Sequence, residues 1–271
     1  MDMNEVYRRG LVLLGCGKMG SAMLEGWLAS GLPATSVWVI DPAPSDWLRS
    51  LDGIHINVDL PDAPAIILVA VKPQMMGEAL PLLAVHGAGS TLFLSVAAGT
   101  PISAYEKVLG PRTPIIRTMP NTPAAIGKGI TALVGNANAN DAHMDIAEQL
   151  MSAVGQTVRL ETERQMDAVT ALSGSGPAYV FHLIETMAAA GRAQGLPPQM
   201  AMTLAKATVA GAGALAQQSD LEPDALRVNV TSPGGTTAAA LAQLMDPENG
   251  LPALMQRSMN AAADRSRELG K

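Results

Sequence analysis

The run Leu11-Val12-Leu13-Leu14 leads directly into Gly15-Cys16-Gly17-Lys18-Met19-Gly20, which has the G-x-G-x-x-G spacing. Each glycine in that spacing meets a separate demand. The first permits a tight turn, the second lets a pyrophosphate approach the backbone, and the third lets helix and strand pack closely. A helical pattern follows, with Met19, Met23, Trp27 and Leu28 on one side. The free N–H groups at such a helix start face phosphate oxygens. Gly15, Gly17, Lys18, Met19 and Gly20 are therefore candidates for a dinucleotide cradle. A second apolar run, Val37 to Ile40, ends at Asp41. That is near the spacing of about 20 residues at which an acid usually meets the ribose hydroxyls. The alternative is a Gly-rich turn that binds nothing. Strand, loop, helix and acid in register favour the cradle.

A second motif stands near the other end: Asn229-Val230-Thr231-Ser232-Pro233-Gly234-Gly235-Thr236-Thr237. It lies between two helical patterns. Consecutive backbone N–H groups and a helix N-terminus suit a carboxylate. An N-capped helix with a flexible entry is the plainer reading. Four hydroxyls and two glycines between Thr231 and Thr237 exceed what a cap requires. A cofactor cradle in one half and a small-acid pocket in the other imply a two-domain reductase.

Other segments carry weaker signals. Lys72-Pro73 follows an apolar run, where Lys72 is either cofactor-side or an ordinary solvated lysine. Arg117-Thr118-Met119-Pro120-Asn121-Thr122-Pro123 ends another, stiffened by two prolines. Asn121 offers donors and an acceptor there, but a rigid turn is equally consistent. Ser173-Gly174-Ser175-Gly176-Pro177 interrupts a helical pattern and reads as a kink or a ligand contact. Thr170, just ahead, has a hydroxyl that can meet a substrate nitrogen or bond back to its own helix. The four histidines, His55, His86, His143 and His182, show no metal-ligand spacing, and no HExxH occurs. No catalytic metal is expected. No G-x-S-x-G is present, so a hydrolase triad has no support.

The elements that must position these residues are legible as runs. Leu11–Leu14, Val37–Ile40, Ile54–Ile56, Ala65–Val71, Thr91–Val96, Ile115–Met119, Ile130–Val134 and Thr157–Leu160 alternate with helical stretches. That predicts βαβ units and a largely parallel, doubly covered sheet of Rossmann type. Gly17, Asp41, Lys72, Ala98 and Asn121 all fall just after strand ends, where ligands lie in open α/β sheets. After Glu161 strand-like runs disappear. Helices are expected over Thr162–Gln194, Pro198–Gln217, Glu222–Val228, Thr236–Met245 and Leu251–Leu269. The chain of 271 residues is natural for two domains, here 1–161 and 162–271. Aromatics make up only 3% while methionine reaches 16 residues, so alanine and methionine must fill a helical second half. A net charge of −6 without a basic tract argues against nucleic acid. No apolar run approaches the ~20 residues needed to span a bilayer. The start is polar, and Cys16 is the single cysteine, so no intrachain disulfide forms and a cytoplasmic location is expected. Cys16 reads as a small loop residue rather than a nucleophile.

Taken in order, several segments resemble one family, Δ1-pyrroline-5-carboxylate reductase. They are Gly15 to Gly20, Ala70-Val71-Lys72-Pro73, Met119 to Pro123, Ala171 to Tyr179, and Val230 to Thr237. The first is shared by many dehydrogenases, whereas the last two are specific. The resemblance implies a Rossmann domain and a helical domain that dimerises with its twin, with higher assembly frequent and an active site completed by both subunits. It implies that Asn57, the Val71-Lys72-Pro73 loop and Ala98 touch NADPH or NADH. It also implies that Asn229, Val230, Ser232, Gly234, Gly235 and Thr237 hold the substrate, and that Thr170 approaches its ring nitrogen as the catalytic residue. Members that prefer NADPH tend to place small hydroxyl residues after the second strand. Here Asp41 stands there, followed by Pro42, and a carboxylate repels a 2′-phosphate. Both cofactors therefore stay open. The reaction implied reduces a cyclic imine carboxylate to L-proline, with water able to protonate the imine. A 3-hydroxyacid dehydrogenase is a rival, but it relies on a lysine in the first long helix of the second domain. Thr162 to Gln194 contains none. A non-catalytic cofactor-sensing protein is the other rival, and it has no need of the second pocket.

Overall fold

The computed structural model describes residues 1–270, apart from the side chain of Pro73. It divides into two compact units, Met1–Gly174 with Ala262–Lys271, and Ser175–Ala261.

The first unit is built on an eight-stranded sheet. Its strands are β1 (Leu11–Leu14), β2 (Val37–Ile40), β3 (His55–Ile56), β4 (Ile66–Val69), β5 (Leu92–Ser95), β6 (Ile115–Met119), β7 (Gly129–Gly135) and β8 (Gly155–Arg159), in the order β3-β2-β1-β4-β5-β6-β7-β8. From β3 to β6 every neighbouring pair is parallel. β7 then runs antiparallel to β6, and β8 runs parallel to β7. The register sets Leu11 between Val37 and Ile66.

β1, β4 and β5 are buried along their whole length, as strands covered on both faces must be. Alternation of side chains divides them between two cores. Leu11, Leu13, Ile66 and Leu68 pack with Met23, Leu24 and Trp27 of helix α2 (Lys18–Ala29), beside α1 (Met3–Arg9) and α6 (Asp141–Ser152). Val12, Leu14, Ile67 and Val69 pack on the other face with Leu80, Leu83, Tyr105 and Leu109. Tyr105 and Leu109 belong to α5 (Ile102–Leu109). α3 (Asp46–Arg49) and α4 (Met76–Ala79) are single short turns.

The expected boundary lay between residues 161 and 162, whereas the compact units divide after Gly174. The intervening stretch packs on the sheet. Met166 of α7 (Met166–Val169) is fully buried in the second core. Arg117 in the middle of β6 donates to the Glu163 carboxylate at 2.8 Å, and the Ile102 N–H donates to the same oxygen at 2.8 Å. The helix expected over Thr162–Gln194 is also segmented. A 3-10 turn (Glu163–Gln165) and α7 lead into a π-helical turn, Thr170–Gly174, before α8 (Gly176–Ala193) begins. Pro177 does not kink a helix. It occupies the first turn of α8, where a missing N–H costs nothing.

In the second unit, α8 is followed by α9 (Pro198–Gln218), α10 (Pro223–Asn229), α11 (Thr236–Leu244) and the start of α12 (Leu251–Leu269). α8 and α9 fold back on each other over Ala188, Ala201 and Ala205, all buried. Small side chains allow that approach. Many larger apolar side chains stay exposed, among them Phe181 at 58%, Leu204 at 50%, Leu215 at 57% and Val230 at 65%. Among the described residues no helix is long and apolar enough to cross a membrane.

Candidate functional site

β1 ends at Gly15, whose φ of +90° is one that side-chain-bearing residues rarely adopt. Its N–H donates to the Ile40 carbonyl at 2.8 Å, so the turn starts from the sheet itself. A Cβ on Gly15 lies 3.0 Å from the Ala70 carbonyl oxygen and from Val71 Cγ1. A Cβ on Gly20 lies 2.4 Å from the Gly15 carbonyl oxygen. These two glycines are demanded by packing. Gly17 is different: a Cβ there meets nothing within 4 Å. Gly17 is exposed and is the N-cap of α2, yet no side chain caps that helix and no acid stands in its first turn. The first N–H groups of a helix have no partner within it. Open space in front of an uncapped, positively polarised helix start fits a dinucleotide pyrophosphate. Lys18 is exposed and Met19 half-buried, both in that first turn.

Asp41 follows β2 and turns inward to this loop. Its Oδ2 accepts the Cys16 N–H at 2.7 Å, and its Oδ1 accepts the Ala43 N–H at 2.8 Å. Each carboxylate oxygen keeps a further lone pair for a ligand hydroxyl. Asn57 completes the arrangement. Its Oδ1 accepts the Asp41 N–H at 2.9 Å and its Nδ2 donates to the Asp41 carbonyl at 2.8 Å. Asn57 thereby behaves as one more strand residue beside β2, at a backbone φ of +52°. The cradle, Asp41 and Asn57 thus form one hydrogen-bonded group. Cys16 inside it is buried, and its thiol is pushed up to about 11, first by burial and then by the Asp41 charge. It is a protonated packing residue.

Val71 and Lys72 follow β4, and Ala98 follows β5, so they stand at the carboxyl ends of neighbouring strands beside β1. Val71 is half-buried and Lys72 exposed. The Pro73 side chain lies outside the described residues. The turn carrying Ala98 rests on a buried pair, the Ser95 and Tyr105 hydroxyls, with the Ala97 N–H donating to Ser95 Oγ at 3.3 Å. Burial pushes the Tyr105 phenol up to about 12. Asn121 is turned to structure: it donates to the Ser173 carbonyl at 3.1 Å and accepts the Ile130 N–H at 3.0 Å.

Thr170 opens the π-helical turn, a form frequent at functional sites. Its hydroxyl donates to the Met166 carbonyl at 2.8 Å. A Cβ on Gly174 lies 2.5 Å from Met119 Cε, so this glycine allows close packing, whereas a Cβ on Gly176 meets nothing within 4 Å.

In the second unit, α10 ends at Asn229, and the Thr231 N–H and hydroxyl return to Val228 and Arg227. The Gly235 N–H then donates to the Ser232 carbonyl at 3.0 Å, and Gly235 is the N-cap of α11. No side chain caps α11, although Ser232, Thr236 and Thr237 stand around its start. Asn229, Val230, Ser232 and Gly234 are exposed, while Gly235 and Thr237 are half-buried. An uncapped nine-residue helix ringed by hydroxyls is suited to a carboxylate.

Sequence reasoning missed three features: the Asp41 grip on Cys16, the Ser95–Tyr105 pair, and the Arg117–Glu163 ion pair. All join residues far apart in the chain and carry no local signal. Among the described residues no group of three His, Cys, Asp or Glu side chains could hold a metal ion.

A glycine loop of this form, at the carboxyl end of a sheet in this order, defines the first unit as that of a dinucleotide-dependent oxidoreductase. A family model described as pyrroline-5-carboxylate reductase dimerisation matches residues 163–269, and one described as NADP oxidoreductase, coenzyme F420-dependent, matches residues 10–99. The pyrroline-5-carboxylate reductase of Pseudomonas aeruginosa is 38% identical over 266 residues, 96% of this chain and 97% of that protein. The chain belongs to the pyrroline-5-carboxylate reductase family and is an NAD(P)H-dependent oxidoreductase. The Methanosarcina acetivorans reductase is 36% identical, covering 95% of this chain and 97% of its own. Among solved structures, the pyrroline-5-carboxylate reductase of Coxiella burnetii superposes with a TM-score of 0.91 at 31% identity, over 97% of this chain and 99% of that one. The Plasmodium falciparum enzyme with NADP bound gives 0.85 at 28% identity, over 98% and 99%.

Proposed function

We propose that this member reduces the imine of 1-pyrroline-5-carboxylate to give L-proline, the last step of proline biosynthesis, and that it works in the cytoplasm as at least a homodimer. The observation that supports the cofactor half of the reading is the open ground at Gly17 before the uncapped start of α2, between two glycines closed by packing, and the reaction itself is supported by the family match. When bound, the reduced dinucleotide supplies the hydride. The chain has to bind, orient and exclude. Gly17, Lys18 and Met19 at the start of α2 offer the pyrophosphate their backbone N–H groups, Gly15 and Gly20 hold the turn by close packing, and Asp41 offers lone pairs to the ribose. Asn57, Val71, Lys72, Pro73 and Ala98 line the remaining cofactor side.

Ser232 to Thr237, with Asn229 and Val230 at their entry, grip the substrate carboxylate. Fixing one end of a small rigid ring sets the direction of its imine carbon, and orientation of this kind supplies up to ~7–11 kcal/mol in the best cases. Water protonates the imine nitrogen. Thr170 has a narrower role than a proton donor. Its hydroxyl proton is already given to the Met166 carbonyl, so its oxygen is left as an acceptor. An acceptor suits the protonated imine N–H, whose charge makes the carbon electrophilic.

Oxidation of NADH or NADPH in the presence of pyrroline-5-carboxylate, compared with 3-hydroxyacids in the reverse direction, tests the reaction. Thr237→Ala and Thr170→Ala test the roles. A hydrogen bond to a charged group is worth ~1.5–3 kcal/mol, so Thr237→Ala lowers kcat/KM about tenfold to a hundredfold through KM. Thr170→Ala lowers kcat more than it raises KM, because the N–H contact matters most as the carbon is attacked. Turnover of a 3-hydroxyacid but not the imine overturns the function. Equal losses of cofactor affinity in both variants overturn the assignment of residues.

A further inference from the structure

The first unit contains the last residues of the chain as well as the first. The final turn of α12 packs on α7 and on the turn Val96 to Pro101 that follows β5. Two observations fix it there. Ser266 is 4% exposed, and its hydroxyl donates to Asp167 Oδ1 of α7 at 2.6 Å. Beyond it, Leu269 lies directly over Gly99. A Cβ built on Gly99 stands 2.8 Å from Leu269 Cβ, and one on Gly270 stands 2.9 Å from the Gly99 carbonyl oxygen. Gly99 also has a φ of +76°, so conformation and covering both demand glycine.

The rest of the turn is held by the sheet side. Ser95 and Tyr105 support its beginning, and Glu163 takes the Ile102 N–H where it ends. Gly99, at the crest, is covered by Leu269 and Gly270. A buried glycine at φ +76° beside Ala98 has more backbone freedom to lose than any other residue type, and contact from above is what removes it.

We propose that Ser266 to Gly270 form a positioning clamp for the dinucleotide site, holding the Ala98 turn in the conformation that receives the cofactor. The proposal rests on the reading of that turn as cofactor-side. Ser266 anchors the clamp to α7, and Leu269 and Gly270 close it over Gly99. Neither Ser266 nor Leu269 touches reactants. They act through Ala98, and their loss weakens cofactor binding while leaving the grip of Ser232 to Thr237 on the substrate unchanged.

The experiment compares the full chain with a form ending at Arg265, with Ser266→Ala and with Ser266→Thr. Hydrogen–deuterium exchange of the peptide spanning residues 96–104 is read without cofactor, and cofactor Kd and both KM values are measured. The shortened form is expected to exchange in that peptide about tenfold faster and to bind NADPH and NADH about tenfold more weakly, with the KM for pyrroline-5-carboxylate moving less than about twofold. Ser266→Ala, which removes one oxygen, shifts both readouts in the same direction by a smaller factor, and Ser266→Thr restores them. Unchanged exchange in Ser266→Ala overturns the clamp, whatever the fate of the shortened form. Faster exchange with an unchanged cofactor Kd overturns the reading of the Ala98 turn instead. A substrate KM that rises as much as the cofactor Kd overturns the selective role.

Discussion

Replacing Gly17 by valine separates binding from folding, because the space a side chain needs there is already open. The backbone at Gly17, φ −73° and ψ −160°, is one that any residue adopts. No heavy atom lies within 4 Å of the added Cβ. The structural cost is limited to a poorer N-cap, about 1 kcal/mol, or a fall in Tm of about 2–4 °C for a chain of this length. The cost to the cofactor is larger. The isopropyl group fills the ground before the α2 N–H groups, and losing two charge-assisted hydrogen bonds at ~1.5–3 kcal/mol each weakens Kd by at least about a hundredfold. Gly20→Ala gives the opposite balance. Its Cβ stands 2.4 Å from a backbone oxygen that cannot swing away, so the fold gives up about 1–3 kcal/mol and the melting temperature falls by several degrees. Fluorescence titration with NADH and NADPH, paired with thermal unfolding by circular dichroism, reads both quantities. A folded Gly17→Val protein whose Kd stays within about threefold of the parent refutes the cradle. Equal melting losses in the two variants refute the division of labour between the glycines.

Asp41→Ser is expected to raise the ratio of kcat/KM for NADPH over NADH. It also lowers Tm, because the Cys16 and Ala43 N–H groups lose their acceptor; an unmoved ratio in a protein that already prefers NADPH shows that the carboxylate does not face the ribose. The second unit leaves Phe181, Leu204 and Leu215 exposed, and covering such surface gains ~25 cal/mol per Å². Sedimentation at micromolar concentration is therefore expected to find a dimer or larger, and an active monomer refutes this. The Cys16 thiol, held up to about 11 by burial and the Asp41 charge, is expected to react with iodoacetamide at pH 8 about a hundredfold more slowly than the same thiol in urea, in proportion to its thiolate fraction. Its folded value lies above the ordinary thiol value of 9.0, so the unfolded chain loses that proton first. Stability should fall as pH rises from 9 toward 11, and a flat urea midpoint across that range in wild type relative to Cys16→Ala refutes the shift.

The sheet was legible because its signal is local. Continuous apolar runs such as Ile66 to Val69 suit strands buried on both faces, and their alternation with helical stretches implies parallel pairing, while the strand order became visible only in the structure. The reversal of β7 was not legible. Gly129 to Gly135 has the same apolar character whether its neighbour runs with it or against it, and the reversal is made by the connection from Pro120 to Lys128, which holds a 3-10 turn (Thr122–Ile126) rather than a crossover helix. Helix existence was read correctly after Pro198, where breakers punctuate each end. The stretch from Glu163 to Gly174 was read as part of one helix because nothing local marks Met166 as a residue of the sheet's own core. The same limit holds for the candidate site. That an acid follows β2 is visible. That its carboxylate turns back to the N–H of Cys16, 25 positions earlier, depends on the pairing of β1 with β2. The fate of the Thr170 hydroxyl, left open between ligand and helix, is resolved by a bond to Met166 that leaves its oxygen free to accept.

The last turn of α12 packs in the first unit, and this sets an order of events during synthesis. A ribosome adding ~5–20 residues each second releases the whole eight-stranded sheet well before Ser266 exists. The nascent chain therefore passes through a stage in which the dinucleotide half is formed but the crest at Gly99 is bare, and in which all of Ser175 to Ala261 has yet to emerge. With the clamp proposed above, the Ala98 turn takes its final form only after α12 has been made.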